Sequence, residues 1–112
     1  MLNAITSDYT RYMDLLSARQ RLSASNIANA DTPGYHTQDI DFQFEFASLA
    51  DNERPQIIEP FGMKAKPDGN TVDVDREARL LAENAMRFNV ASTLLRSQLK
   101  MVRSAIQSGS GS

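Results

Sequence analysis

Leu81, Ala85, Phe88, Ser92, Leu95, Leu99, Val102 and Ile106 recur at alternating four- and three-residue steps, and Ser92 is the only polar member of the series. A row with this period is a coiled-coil seam: it commits the segment to an α-helix, and that helix to a partner, because side chains three and four apart share one face. The predicted helix spans 75–107. Asp73 or Asp75 caps its N-terminus, where unpaired backbone N–H groups and the helix dipole favour a carboxylate, and Glu77 adds charge in the first turn. Arg96, Lys100 and Arg103 place the opposite sign near its C-terminus, ahead of an SGSGS tail at 108–112 that reads as flexible.

A second amphipathic stretch lies at the N-terminus. Leu2, Ile5, Tyr9, Tyr12 and Leu16 are three or four apart, and Leu15, Leu22 and Ile27 widen the apolar face. No proline or glycine interrupts the chain before Pro33 and Gly34. Residues 1–30 therefore read as one helix segment, with about 27 residues in the helix spanning roughly 40 Å at 1.5 Å per residue.

Two long helices are a large share of 112 residues, a length that suits one small domain. A chain of this size buries only roughly 60 to 68% of its unfolded surface, so an isolated monomer has thin stability and gains from partners. The net charge of −2 hides an uneven distribution: residues 1–36 sum to 0, residues 37–75 to −6 and residues 76–112 to +4. The acidic middle and basic C-terminal segment attract each other, within one chain or between neighbours, with a strength that salt screens. Nucleic acid is a poor fit, because no basic cluster is joined to aromatic residues that stack bases. No segment reaches the roughly 18 to 20 apolar residues of a membrane-spanning helix, and MLNAITSDYTRYMDLL lacks the basic start and apolar run of a cleavable secretory signal. With no cysteine there is no disulfide framework and no thiol chemistry.

Between the helices, residues 31–74 hold all four prolines together with Gly34, Gly62 and Gly69. Ile40, Phe42, Phe44 and Phe46 alternate with Asp41, Gln43 and Glu45, a period-two pattern that predicts an extended strand with one apolar face. One strand is not stable alone. Its cover is expected from the helices, from a neighbouring subunit or from a small hairpin completed near Gln56 to Ile58, within a middle segment otherwise read as extended or partly disordered.

The junction after the first helix reads SASNIANADTPGYHTQDIDF. Asn26 and Asn29 share a helical face, where their amides can bond backbone carbonyls and a partner; Ile27 lies between them. Thr32, preceding Pro33, is pushed toward extended geometry, Pro33 and Gly34 suit the two central positions of a type II turn, and Tyr35 combines a packing ring with an outward hydroxyl. On spacing alone this is an ordinary helix terminus.

Taken whole, SNIANADTPGY resembles the N-terminal signature of flagellar rod, hook and hook-associated proteins. A second stretch, DGNTVDVDREARLLAENAMRFNVASTLLRSQLKMVRSAI, resembles the C-terminal part of the rod members, and the two occur in the matching order over about 26–36 and 68–106. The resemblance implies a mainly α fold in which the helices at 1–30 and 75–107 pair antiparallel as a coiled-coil hairpin. It implies Asn26, Ile27, Asn29, Thr32, Pro33, Gly34 and Tyr35 as an assembly and turn motif, with Leu81, Ala85, Phe88, Leu95, Leu99, Val102 and Ile106 as the helix–helix seam. It also implies a structural subunit that polymerises with copies of itself and related rod proteins into a tube around the export channel. Such a subunit transmits torque in the periplasmic part of the basal body. Export through the flagellar type III apparatus would explain the missing signal.

Nothing in the sequence calls for a catalyst, cofactor or metal. His36 has no second histidine or cysteine near it, so a metal would have to rely on carboxylates. Asp39 with Asp41, and Asp73 with Asp75, read as solvated loop charges rather than paired acid and base groups. No nucleophile elbow, phosphate-binding loop or dinucleotide fingerprint is present. The competing reading is a small helical-hairpin adaptor or secretion chaperone, which shares the periodicity but has no use for the SNIANADTPGY stretch.

Overall fold

The computed structural model describes residues 2–48 and 54–110, with side chains from 4 to 109. Its elements are α1 (Leu2–Ala28), β1 (Asp39–Ile40), α2 (Phe42–Ala47), β2 (Ile57–Ile58) and α3 (Val74–Ser110). The two long helices lie antiparallel, with the Gln20 side-chain amide of α1 donating to the Leu81 carbonyl of α3 and Ile5 sharing a groove with Leu94. The molecule is a rod of 72 × 27 × 17 Å. One end of it, the head, holds the chain between the helices. Away from the head the two helices form a bare shaft, and α3, the longer by ten residues, continues alone past the start of α1.

Asp73 is the cap of α3, its Oδ1 accepting from the Arg76 N–H at 3.2 Å. The helix runs to Ser110, three residues beyond the predicted end, so Ser108 to Ser110 of the tail are helical; residues 111 and 112 lie outside the described residues.

The predicted strand through Phe42, Phe44 and Phe46 is a helix instead. Asp41 caps it, accepting from the Phe44 N–H at 3.1 Å. A helix of six residues has no stability of its own, and the rings explain why it forms. In a strand Phe42, Phe44 and Phe46 would share a face. In the helix Phe42 and Phe46, four apart, stack at 6.5 Å and meet Tyr12 of α1 edge-on at 5.4 and 5.7 Å, while Phe44 turns outward. The strand pairing that does exist is the short antiparallel hairpin of β1 and β2, Asp39 opposite Ile58 and Ile40 opposite Ile57.

The seam requires a second correction. The residues of α3 buried within the chain are Glu77, Asn84 and Ala91, seven apart, on a line to one side of the four-three row. Leu81, Phe88, Leu95 and Val102 are half-buried along its edge, and Ala85, Leu99 and Ile106 are exposed. The head sets this rotation: Arg76, in the first turn of α3, is tied to Asp39 of β1, and the rest of the helix follows from that turn.

Candidate assembly site

The head joins the two stretches that carry the resemblance. Asn26, fully buried, holds Gln38 with both ends of its amide: Nδ2 donates to the Gln38 carbonyl at 2.8 Å and Oδ1 accepts from the Gln38 N–H at 3.0 Å. Asn29 bonds back to the Ser25 carbonyl at 2.9 Å and accepts from the Thr32 hydroxyl at 3.1 Å. Gly34 has φ 73, and the Tyr35 N–H donates to the Thr32 carbonyl at 3.2 Å, the closing bond of a turn with Pro33 and Gly34 at its centre. The Tyr35 hydroxyl reaches Ser25 at 3.2 Å, and Ile27 is half-buried. Thus the amides of Asn26 and Asn29 are engaged inside the chain.

The second stretch arrives from the opposite side. Asn70, also fully buried, donates from Nδ2 to the carbonyls of Asn29 and Thr32 at 2.9 and 2.8 Å, so it caps the end of α1 from 41 residues away. The Gly34 N–H donates to the Asp68 carbonyl at 2.9 Å and the Thr71 N–H to the Tyr35 carbonyl at 3.0 Å. A Cβ on Gly69, which has φ 84, would lie 3.5 Å from the Gly34 Cα, so the two glycine turns are backed against each other. Thr37 and Thr71 complete the seal with bonds of 2.8 to 3.1 Å.

Beneath these turns is a charge cluster that the sequence pattern did not reveal. Asp39 accepts from Arg19 Nε at 3.0 Å and Nη2 at 3.1 Å and from Arg76 Nη2 at 2.6 Å; Arg76 Nη1 reaches Glu77 at 2.7 Å. Burial pushes the Asp39 carboxyl up. The hydrogen bonds from Arg19 and Arg76, the Ile40 N–H and the charge of Arg19 outweigh it and hold the group below the usual aspartate range. Burial likewise works against the charge on Arg76, and the bond and charge of Asp39, with those of Glu77, more than restore it. The cluster ties α1, β1 and α3 together from residues 19, 39, 76 and 77. Asp39 was readable only as one of several loop acids, because its partners are 20 and 37 residues away.

The shaft has the reverse character. Met86, Val90, Leu94 and Met101, on one face of α3 at steps of four, four and seven, are 69, 59, 48 and 63% exposed. Between them and α1 lies a groove of ≈ 550 Å³ walled by Ile5, Tyr9, Tyr12, Phe46, Val90 and Leu94, with Asp8 and Arg87 its charged members. Contiguous apolar surface of this kind marks an interaction site. No group of three or more metal-ligating side chains occurs among the described residues, and no helix among them is long and apolar enough to cross a membrane.

A hairpin with a knitted polar head and an apolar shaft defines the class: a helical protein built to be packed against. The family model of flagella basal body rod proteins matches residues 13–36, which run from the middle of α1 through the turn at Gly34. The chain is 34% identical to the flagellar basal body rod protein FlgB of Salmonella typhimurium, over 87% of this chain and 88% of the relative. It is 33% identical to FlgB of Escherichia coli K12 with the same coverage, and 28% identical to FlgB of Buchnera aphidicola from Acyrthosiphon pisum over 88% of this chain and 91% of the relative. The chain belongs to the FlgB family of flagellar basal body rod proteins, which are structural subunits of the bacterial flagellum.

Proposed function

We propose that the chain polymerises through α1 and α3, with copies of itself and related rod proteins, into a tubular assembly that surrounds the export channel and transmits torque. It acts by packing, not by catalysis. The observation that carries this is the exposed apolar face of α3 at Met86, Val90, Leu94 and Met101, set against a buried apolar core of only Leu15, Leu16, Ile40, Val72 and Ala91 among the described residues. A subunit so thinly cored gains stability when neighbours cover its shaft. Asn26, Ile27, Asn29, Thr32, Pro33, Gly34 and Tyr35 serve this assembly by fixing the angle at which the chain leaves α1. Leu81, Ala85, Phe88, Leu95, Leu99, Val102 and Ile106 form a seam whose half-buried members Leu81, Phe88 and Leu95 lie beside α1 of the same chain and whose exposed members meet a neighbour. The chain reaches the periplasmic rod through the flagellar type III apparatus. An adaptor or chaperone role is not favoured, since the relatives are rod proteins.

The test is cryo-electron microscopy of basal bodies from the source bacterium, joined to complementation of a deletion strain. Density at the base of the rod should fit paired helices at 2–28 and 74–110, and Leu95→Asp should abolish rod assembly and swimming. Intact rods that lack the chain, or normal swimming with Leu95→Asp, would overturn the reading.

A further inference from the structure

We infer that the groove between α1 and α3 receives the C-terminal ridge of α3 from a second copy of the chain, so that the subunits join shaft to shaft in an open series. The inference rests on the assembly reading above and names the surfaces that carry it.

The groove walled by Ile5, Tyr9, Tyr12, Phe46, Val90 and Leu94 is apolar and has a volume of ≈ 550 Å³. The same chain carries such a row. Leu99, Val102 and Ile106 stand three and four apart, the spacing by which an amphipathic helix anchors in a groove, and Leu99 and Ile106 are 43 and 66% exposed. Charge agrees with the fit. Beyond Glu83 every charged residue of α3 is basic, and Arg96, Lys100 and Arg103 border the ridge. The groove wall carries the Asp8 carboxylate, whereas its Arg87 is already paired with Glu83 at 2.5 Å. Cations on the ridge and a carboxylate on the wall favour this pairing over two ridges meeting.

Groove and ridge cannot satisfy each other within one chain. Val90 and Leu99 are nine residues apart on α3, two and a half turns, so they face opposite ways about 13 Å apart along the axis. One copy's ridge in the next copy's groove is a heterologous contact, which propagates as a ring or a helical series instead of closing as a symmetric pair.

The natural chain contains no cysteine, so introduced thiols report unambiguously. Double variants Val90→Cys with Leu99→Cys, Val102→Cys or Ile106→Cys would each replace the native copy in the bacterium, be oxidised mildly and be recovered in basal bodies. A disulfide needs Cα atoms within about 7 Å, so none of these pairs can close inside one α3. At least one pair should give a disulfide ladder of dimers, trimers and higher multiples. Val90→Cys with Ser104→Cys, whose second thiol lies on the far side of the helix from the ridge, should not. Two results would overturn the inference: incorporation without a ladder from any of the three pairs, or an equal ladder from the Ser104→Cys control. Crosslinks only to a chain of different mass would overturn the choice of a second copy. If the unaltered chain is itself absent from basal bodies, the assembly reading fails and this inference fails with it.

Discussion

The head and the shaft of this rod solve opposite problems with the same two helices. In the head, Asn26, Asn70, Thr37, Thr71 and Asp39 are buried, and each has its polar partners inside the chain, while Glu77 Oε2 is a buried oxygen there with no partner among the described residues. In the shaft, apolar side chains at Met86, Val90, Leu94 and Met101 face outward, and on the buried line between the helices Gln20 Oε1 and Asn84 Nδ2 find no hydrogen-bond partner among the described residues. Buried polar groups stabilise a fold only when fully matched, which demands fixed geometry. Exposed apolar groups need no fixed geometry until a partner arrives. The head is therefore the part whose shape is set by contacts inside the chain, and the shaft is the part that, in the assembly proposed above, a neighbour completes.

The strongest challenge to this contrast is Asp39→Ala. It leaves Arg19 and Arg76, both mostly buried, without their shared carboxylate, and the loss should be about 3 to 5 kcal/mol, read from the midpoint of urea unfolding. An unchanged midpoint would mean that charge does not hold the head. The same residue sets a pH dependence whose sign follows from its direction. Because the folded carboxyl lies below the ordinary aspartate value of 3.8, its contribution is complete above that value and is lost as pH falls through the lower folded value. Unfolding midpoints measured from pH 6 downward should thus drop only below about pH 4. Asp39→Asn should flatten that part of the curve.

Asn70→Ala tests the hydrogen bonds without charge. It frees the carbonyls of Asn29 and Thr32 and the Val72 N–H, with an expected cost of about 2 kcal/mol in the same unfolding measurement. Gly34→Val is smaller, about 1 to 2 kcal/mol, because the site has open space for a side chain and only the positive φ opposes a β-branched residue. Its larger consequence is for swimming in a complementation assay, since a shifted turn redirects the chain leaving α1. Val90→Asp sits at the other end of the scale: at 59% exposure it should move stability by less than about 0.5 kcal/mol while stopping rod assembly. If Val90→Asp unfolds the chain, or leaves assembly intact, the division between a self-sufficient head and an incomplete shaft is wrong.

Periodicity alone determined that both ends of the chain are long helices, because a 3.6-residue repeat of apolar side chains has no other regular solution, and it located the turn after α1 from Pro33 and Gly34. The family resemblance in the two flanking stretches was equally legible, since it resides in local order along the chain. Tertiary structure alone decided which face of α3 meets α1. The four-three row marks a face fit for packing without saying which helix packs on it, and the Arg76–Asp39 ion pair in the head orients α3 so that Glu77, Asn84 and Ala91 are buried instead. It also decided that Phe42 to Phe46 is helical, because Tyr12 offers a surface that two rings four apart can share. Both outcomes depend on contacts between residues 30 or more apart, and a pattern read along the chain contains no term for them.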